Sequence, residues 1–248
     1  MERNKKIILL SILGLVIVSL SYIFYVSYSE NKIASTNQEQ KGDDFLSFSL
    51  QKRKLSQTNE GVIGSKEKKH DLDSNLIQET YTLESGQLIV VENLKTVWQS
   101  PDDWWIDDFV LNDSNNDGII DINLSVWKPG NFGSSKPFWV EENDMSIKNH
   151  FFIFDFVNGK IKPIWQSSNL AVPNCEFTFA DIDDDGNNDL IVIEGDYLQT
   201  FECIGNYVAV WKWNGWGFSN EERGEKGNYT NLKIEEIDGK NLIFFDSF

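Results

Sequence analysis

From Gln78 onward, short runs that alternate apolar and polar residues are separated by Gly, Asn and Asp. Such a two-residue period, broken by turn-forming residues, is typical of β-strands joined by tight turns. No stretch there carries the apolar stripe of a core helix, which repeats every three to four residues. The pattern predicts an all-β domain over 78–248, with twelve strands at about 78–83, 87–92, 106–112, 119–127, 150–157, 160–166, 176–181, 189–195, 207–213, 215–219, 231–236 and 241–246.

The predicted strands fall into repeats. The segment Val97–Ser100 (VWQS) recurs 67 residues later as Ile164–Ser167 (IWQS), and Phe109–Asp113 recurs 68 residues later as Phe177–Asp181. Three hairpin sequences are also alike, at 152–165, 207–218 and 231–245. Small sheets that cannot bury both faces alone are stabilised by stacking on neighbours. We therefore expect about three four-stranded units.

The first thirty residues predict a membrane anchor. Arg3, Lys5 and Lys6 precede an uncharged stretch from Ile7 to Ser29. About 20 apolar residues span a bilayer core, and a positive flank stays in the cytoplasm. Residues 1–30 are thus predicted to be a cytoplasmic tip and transmembrane helix, with the remainder outside the cell membrane. A cleaved secretory signal is the alternative, and it also exports the rest.

Residues 31–77 are rich in Ser, Gln, Asn, Lys and Glu and poor in aromatic residues. Such a segment cannot bury enough apolar surface to offset its chain entropy. We expect a flexible linker here, in which the charged run Lys66–Lys69 is solvated and His70 has no partners for a zinc site or a catalytic triad.

The net charge of the predicted β domain restricts the kinds of partner that it can bind. Residues 78–248 contain 30 acidic and 11 basic side chains, a net charge of −19. Nucleic-acid binding requires Lys and Arg to neutralise phosphate, so no nucleic-acid partner is expected. The two cysteines, Cys175 and Cys203, either form one disulfide or remain buried thiols.

Two segments, at 113–121 and 181–189, share the pattern D-x-[DN]-x-D-G-x-x-D. Calcium prefers six to eight oxygen ligands, which clustered carboxylates, Asn and main-chain carbonyls supply. An EF-hand is excluded, because position 12 is Leu124 in one segment and Val192 in the other, not the required Glu. Both segments run into strand-like sequence, which predicts calcium loops at the tips of β-hairpins. Asp-rich turns that bind nothing are the alternative.

These loops, together with the W-x-W-N-G-x-G-F hairpin at Trp211–Phe218, resemble FG-GAP/VCBS repeats. The resemblance covers roughly residues 90–245. It implies four-stranded blades of a β-propeller, with structural calcium in the loops. Three units are fewer than the roughly four to eight blades of an ordinary propeller. The alternatives are a short open array of the three units and a propeller that a partner protein completes.

The resemblance implies a calcium ligand set for each loop. Positions 1, 3, 5 and 9 supply side-chain oxygens, and position 7 supplies its main-chain carbonyl. In the repeat at 231–245, counted from Asp238-Gly239, positions 1 and 9 are Ile234 and Leu242, so no ion is expected there. The predicted ligands are Asp113, Asn115, Asp117, Ile119 and Asp121 in the first loop, and Asp181, Asp183, Asp185, Asn187 and Asp189 in the second.

A second candidate surface is the segment 128–150, where Trp139 lies near Glu141, Glu142 and Asp144 and could contact a glycan or peptide. We expect a non-catalytic, membrane-anchored, extracytoplasmic calcium-binding module that binds a protein or an envelope polysaccharide. The alternatives are a glycan-directed envelope hydrolase or its accessory subunit, which would use the acidic and tryptophan-containing loops, and a purely structural spacer.

Overall fold

A computed structural model describes residues 66–132, 138–197 and 203–248 of the chain, and these form fourteen β-strands and no helix. The all-β prediction is confirmed for this part of the protein. None of the described residues belongs to a helix able to cross a membrane. The predicted anchor at 1–30 and the linker up to residue 65 lie outside the described residues.

The strands form three antiparallel sheets. Sheets 1 and 2 are simple meanders in which each strand pairs with its sequence neighbours. Sheet 1 contains β1 (Lys66–His70), β2 (Glu79–Glu84), β3 (Gln87–Glu92) and β4 (Lys95–Gln99). Sheet 2 contains β5 (Trp105–Asn112), β6 (Asp121–Pro129), β7 (Ile147–Val157) and β8 (Lys160–Gln166).

Sheet 3 begins as a third meander and is then extended. It contains β9 (Asn174–Ala180), β10 (Asp189–Tyr197), β11 (Cys203–Trp213), β12 (Phe218–Arg223), β13 (Tyr229–Ile237) and β14 (Lys240–Ser247). The hairpin β13–β14 joins β11 through the pair Gly205–Tyr229, beside the strand β12 that pairs the other end of β11. Three sheets are therefore present, as expected, but they hold four, four and six strands.

The sequence repeats occupy equivalent places in the sheets. Ser100 and Ser167 each follow the last strand of a sheet, and both are buried. The hydroxyl of Ser100 accepts a hydrogen bond from the Leu88 N–H (3.2 Å), and that of Ser167 accepts one from the Phe151 N–H (2.9 Å). The VWQS and IWQS segments thus perform the same structural task in sheets 1 and 2.

Sheet 2 lies between two hydrophobic clusters. Successive side chains of a strand point to opposite faces, and β7 has large apolar residues on both. Phe152, Phe154 and Phe156 pack with residues of sheet 1, whereas Phe151 and Ile153 pack with residues of sheet 3. This arrangement explains why β6, the neighbour of β7, is buried along its whole length.

Two strands were not predicted. The run at Lys66–His70, expected to be solvated linker, is strand β1 and pairs with β2 in full register. It contains no apolar residue, and it is held by backbone pairing and by the Lys66–Asp108 ion pair (2.6 Å) to sheet 2. Strand β4 follows a turn at Asn93-Leu94, where both residues have positive φ without the usual glycine.

Cys175 and Cys203 form a disulfide, with their Cα atoms 5.5 Å apart. The two cysteines lie on β9 and β11, the strands on either side of β10. This settles the alternatives left open by the sequence. The link fixes the two strands that flank β10 near the end away from the Asp-rich loop.

Candidate metal centres

Loop 1 (residues 113–121) connects β5 to β6, and loop 2 (residues 181–189) connects β9 to β10. Each loop therefore joins the first two strands of its sheet. All ten predicted calcium ligands lie in these two connections. Among the described residues, loop 2 brings three carboxylates within 4.8 Å of one another, and loop 1 forms no such group of three.

The first aspartate of each loop shapes the backbone. The carboxylate of Asp113 accepts hydrogen bonds from the N–H groups of Asp117 (3.1 Å) and Gly118 (2.8 Å). In loop 2 the carboxylate of Asp181 accepts the two equivalent bonds, also at 3.1 and 2.8 Å. The loops thus share one internal hydrogen-bond pattern, which turns the chain back on itself.

Both loops also share two left-handed residues. Asn116 and Asp184, at position 4, have φ of 59°. Gly118 and Gly186, at position 6, have φ of 86°. Asn, Asp and Gly tolerate this region best, which is the physical reason for these residue types at these positions.

The last aspartate of each loop is buried. One carboxylate oxygen of Asp121 accepts hydrogen bonds from the N–H and the hydroxyl of Ser114. The other is buried and has no hydrogen-bond partner among the described residues. Burial raises the pKa of Asp121 to about 7. Burial likewise raises the pKa of Asp189, which accepts a bond from the Ile182 N–H (3.1 Å). A nearby cation would remove the cost of ionising these carboxylates.

In loop 2 a lysine already lies among the carboxylates. Lys212, on β11, places its ammonium 2.6 Å from Asp183, 2.9 Å from Asp185 and 4.0 Å from Asp189. Carboxylate oxygens of Asp181, Asp183 and Asp189 also lie within 4.8 Å of one another. The ammonium therefore marks the point at which the loop stabilises positive charge.

Loop 1 has no lysine in this position. The register of β6 and β7 pairs Ile122 with Phe154, which places Asp155 beside Asp121, where loop 2 has Lys212 beside Asp189. The Asn115 side-chain amide donates to Asp117 (3.0 Å) instead. The two loops therefore share a backbone geometry but differ in the charge that faces them.

Three asparagines that are not predicted ligands form hydrogen bonds between the loops, and between loop 2 and β14. The side chain of Asn116 accepts from the Asn188 N–H at 2.7 Å, and the Asn188 side-chain amide donates to the Asp113 carbonyl at 2.9 Å. In the same way Asn241, on β14, donates to the Asp181 carbonyl at 2.9 Å. Asn188 is position 8 of loop 2, and Asn241 is position 8 of the repeat at 231–245 when it is counted from Asp238-Gly239. The two asparagines are therefore equivalent residues of two repeats.

The second predicted surface, around Trp139, is exposed. The Trp139 side chain is 70% exposed and contacts Phe138, which is 94% exposed. Glu141 and Glu142 are also exposed. Asp144 accepts from the Ser146 N–H and pairs with Lys148 (3.5 Å), and the bond from Ser146 lowers the pKa of Asp144.

An aromatic cleft of about 430 Å³ lies between residues of sheets 2 and 3 and was not predicted. Its walls include Trp165, Trp211, Trp216 and Phe218. At its polar end the Trp211 indole donates to the buried Glu194 (3.1 Å), which also pairs with Arg223 (2.6 Å) in the cleft wall. A mostly apolar cleft with a few placed polar groups is the usual form of a binding pocket.

Comparison with protein-family models, with curated proteins and with solved structures finds no match to this chain.

Proposed function

We propose that this protein is a non-catalytic, membrane-anchored, extracytoplasmic calcium-binding module of blade-like β-repeats that binds a protein or an envelope polysaccharide. The observation that supports it most is the buried Asp121, which has one oxygen without a hydrogen-bond partner among the described residues, inside a loop of four further oxygen donors. An isolated buried carboxylate is costly, whereas a carboxylate bound to a cation is stable.

The donor set favours a hard cation such as calcium over zinc or copper. All predicted ligands are oxygens of carboxylates, one amide and main-chain carbonyls, which suit a hard cation. Zinc and copper sites use His or Cys, and neither loop contains these residues. Five oxygens per loop leave one or more coordination positions for water, as calcium accepts.

The cation would stabilise the fold rather than perform chemistry. The carboxylates of each loop repel one another when unpaired, so metal-free loops oppose the compact state. A bound cation removes this repulsion and joins the first two strands of a sheet. Such a rigid base would present the exposed Phe138–Trp139 pair and the aromatic cleft to a ligand, since aromatic surfaces are enriched at binding sites.

The calcium proposal is tested by melting the purified full-length protein in calcium and in chelator. At a free concentration of about 100 times Kd, each site adds roughly 2.7 kcal/mol to the free energy of unfolding. The melting temperature should rise with calcium, and Asp113→Ala combined with Asp181→Ala should remove most of that rise. Identical melting curves of the wild type in calcium and chelator would contradict the proposal.

The ligand surface is tested separately in calcium. Trp139→Ala and Trp216→Ala should each weaken retention on immobilised envelope polysaccharide, or on a purified envelope protein, without lowering the melting temperature. A matched control is Glu221→Ala, an exposed residue of β12. Turnover of a glycan by the wild type would instead favour the hydrolase alternative.

A further inference from the structure

We infer that the segment 71–79, between β1 and β2, is a third cation-binding loop, formed by Asp71, Asp73, Asn75 and Glu79. This inference rests on the proposed calcium function and adds a site in sheet 1. The segment falls in the range that composition assigns to the linker.

The segment occupies the same place as the other two loops. Loops 1 and 2 connect the first two strands of sheets 2 and 3, and 71–79 connects the first two strands of sheet 1. Its sequence, DLDSNLIQE, has oxygen-bearing side chains at positions 1, 3, 5 and 9. It differs from the other loops by Asn75 at position 5, Leu76 at position 6 and Glu79 at position 9.

The internal hydrogen bonds are those of loops 1 and 2. The Asp71 carboxylate accepts from the N–H groups of Asn75 (3.0 Å) and Leu76 (2.8 Å), at positions 5 and 6. The Asn75 side-chain oxygen accepts from the Ile77 N–H (2.8 Å), at position 7. Finally, Glu79 accepts from the N–H of the residue at position 2 at 2.9 Å, as Asp121 and Asp189 do at 3.1 Å.

The backbone conformation also matches. Ser74, at position 4, has φ of 56°, and Leu76, at position 6, has φ of 71°. The Leu76 side chain is 94% exposed, so no burial holds it there. A leucine is disfavoured in this region. The loop therefore keeps the cation-loop conformation despite a residue that opposes it.

A fully buried carboxylate with one oxygen outside every hydrogen bond of the described residues supports cation binding at this loop. Glu79 has no exposed surface. Its Oε2 accepts from the Leu72 N–H and the Tyr81 hydroxyl, whereas its buried Oε1 has no partner within the described residues. Asp73 likewise has a buried carboxylate oxygen with no hydrogen-bond partner among the described residues. Carboxylate oxygens of Asp71, Asp73 and Glu79 all lie within 4.8 Å of one another.

The neighbouring strand adds negative rather than positive charge. The register of β2 and β3 pairs Thr80 with Val91, which places Glu92 beside Glu79. Lys212 has the equivalent place in loop 2. The Glu92 carboxylate accepts from the Asn75 side-chain amide at 2.8 Å, so it lies at the loop. Four acidic groups here favour a divalent cation over a lone lysine.

The site also contacts the next sheet. The second oxygen of Asp73 accepts from the Gly159 N–H at 3.1 Å, in the turn between β7 and β8. A cation bound to Asp73 and Glu79 would therefore connect the start of β2 to sheet 2. We expect this ion to hold sheet 1 against the rest of the domain.

The test counts calcium ions bound to the full-length protein by equilibrium dialysis. In the variant with Asp113→Ala and Asp181→Ala, one calcium per chain should remain. Adding Glu79→Gln should remove it, whereas Glu84→Gln, at an exposed position of the same strand, should not. Asp73→Ala, at a position that is not fully buried, provides a second route to the same loss, because alanine offers no ligand oxygen, whereas an asparagine is a predicted ligand at the same position of loop 1. Near-ultraviolet circular dichroism verifies folding of each variant.

In the otherwise wild-type chain, Glu79→Gln should lower the number of bound calcium ions by one relative to Glu84→Gln. An unchanged number in folded Glu79→Gln and Asp73→Ala would overturn the third site while leaving the proposed function intact. A wild type that binds no calcium would overturn both.

Discussion

The side-chain amide of Asn188 donates a hydrogen bond to the main-chain carbonyl of Asp113 at 2.9 Å. The eighth residue of loop 2 thus holds the first residue of loop 1. The bond from Asn241 to the Asp181 carbonyl repeats this relationship one unit further along the chain. The hairpin β13–β14 therefore keeps the hydrogen bond to loop 2, although Ile234 and Leu242 occupy two of the positions that hold predicted ligands in the other loops.

We predict that Asn188→Ala and Asn241→Ala each lower the free energy of unfolding by about 1 kcal/mol, because each removes one hydrogen bond to a main-chain carbonyl. The two effects should add, since the bonds share no partner. Urea denaturation at fixed calcium concentration measures both. Values within error of the wild type would show that these bonds do not join the loops in solution.

Lys212→Gln should tighten calcium binding at loop 2 by up to about fivefold, because the ammonium competes with the cation for Asp183 and Asp185 and because exposed ion pairs are weak. Trp213 lines the same surface hollow as Asp185. Because loop 1 residues line this hollow too, terbium luminescence sensitised by Trp213, with calcium as competitor, reports on loop 2 when it is measured in the Asp113→Ala background. Lys233→Gln, at an exposed position of β13, is the matched control, and weaker binding in Lys212→Gln would contradict the competition.

Leu76→Gly should stabilise the protein by about 0.5–1 kcal/mol, because glycine adopts a φ of 71° without strain and the lost side chain is exposed. The reverse change, Gly118→Leu, at a φ of 86°, should destabilise it by about 1 kcal/mol or more. Thermal denaturation in saturating calcium compares the two. A loss of stability in Leu76→Gly would show that the leucine is favoured for another reason.

The buried His150 predicts a loss of stability in mild acid. Burial, reinforced by Lys128, lowers the pKa of this imidazole from 6.5 to about 4. The unfolded chain therefore takes up a proton first as the pH falls, so the contribution of His150 is complete above pH 6.5 and is lost toward pH 4. The wild type should lose about 2 kcal/mol between pH 8 and pH 5 that His150→Gln does not lose. Parallel stability profiles of the two proteins, measured in saturating calcium, would refute this.

Most of the strands could be predicted from the sequence, because their apolar residues either alternate with polar ones or form short runs bounded by turn residues. The run Lys66–His70 could not, since it has no apolar residue and becomes a strand through backbone pairing with β2. The alternation of apolar and polar residues does not reveal a strand that is held by its backbone hydrogen bonds.

Some of the candidate sites could also be predicted from the sequence, and others could not. Loops 1 and 2 could be recognised because Asp-Gly stands at positions 5 and 6 of both. The segment 71–79 could not be recognised, since Asn75-Leu76 replaces Asp-Gly and Glu79 replaces the final aspartate, although the hydrogen bonds are the same. The cleft around Trp211 joins residues distant in sequence, which only the packing of two sheets brings together.

The contact between Asn188 and Asp113 has a consequence for how the two loops respond to cation concentration. An ion that orders Asp113 also fixes the carbonyl that Asn188 binds, so part of the entropy cost of arranging loop 2 is already met. Under the proposed calcium function, the two linked loops would fill with positive cooperativity, and the domain would stiffen over a narrow range of calcium concentration rather than gradually.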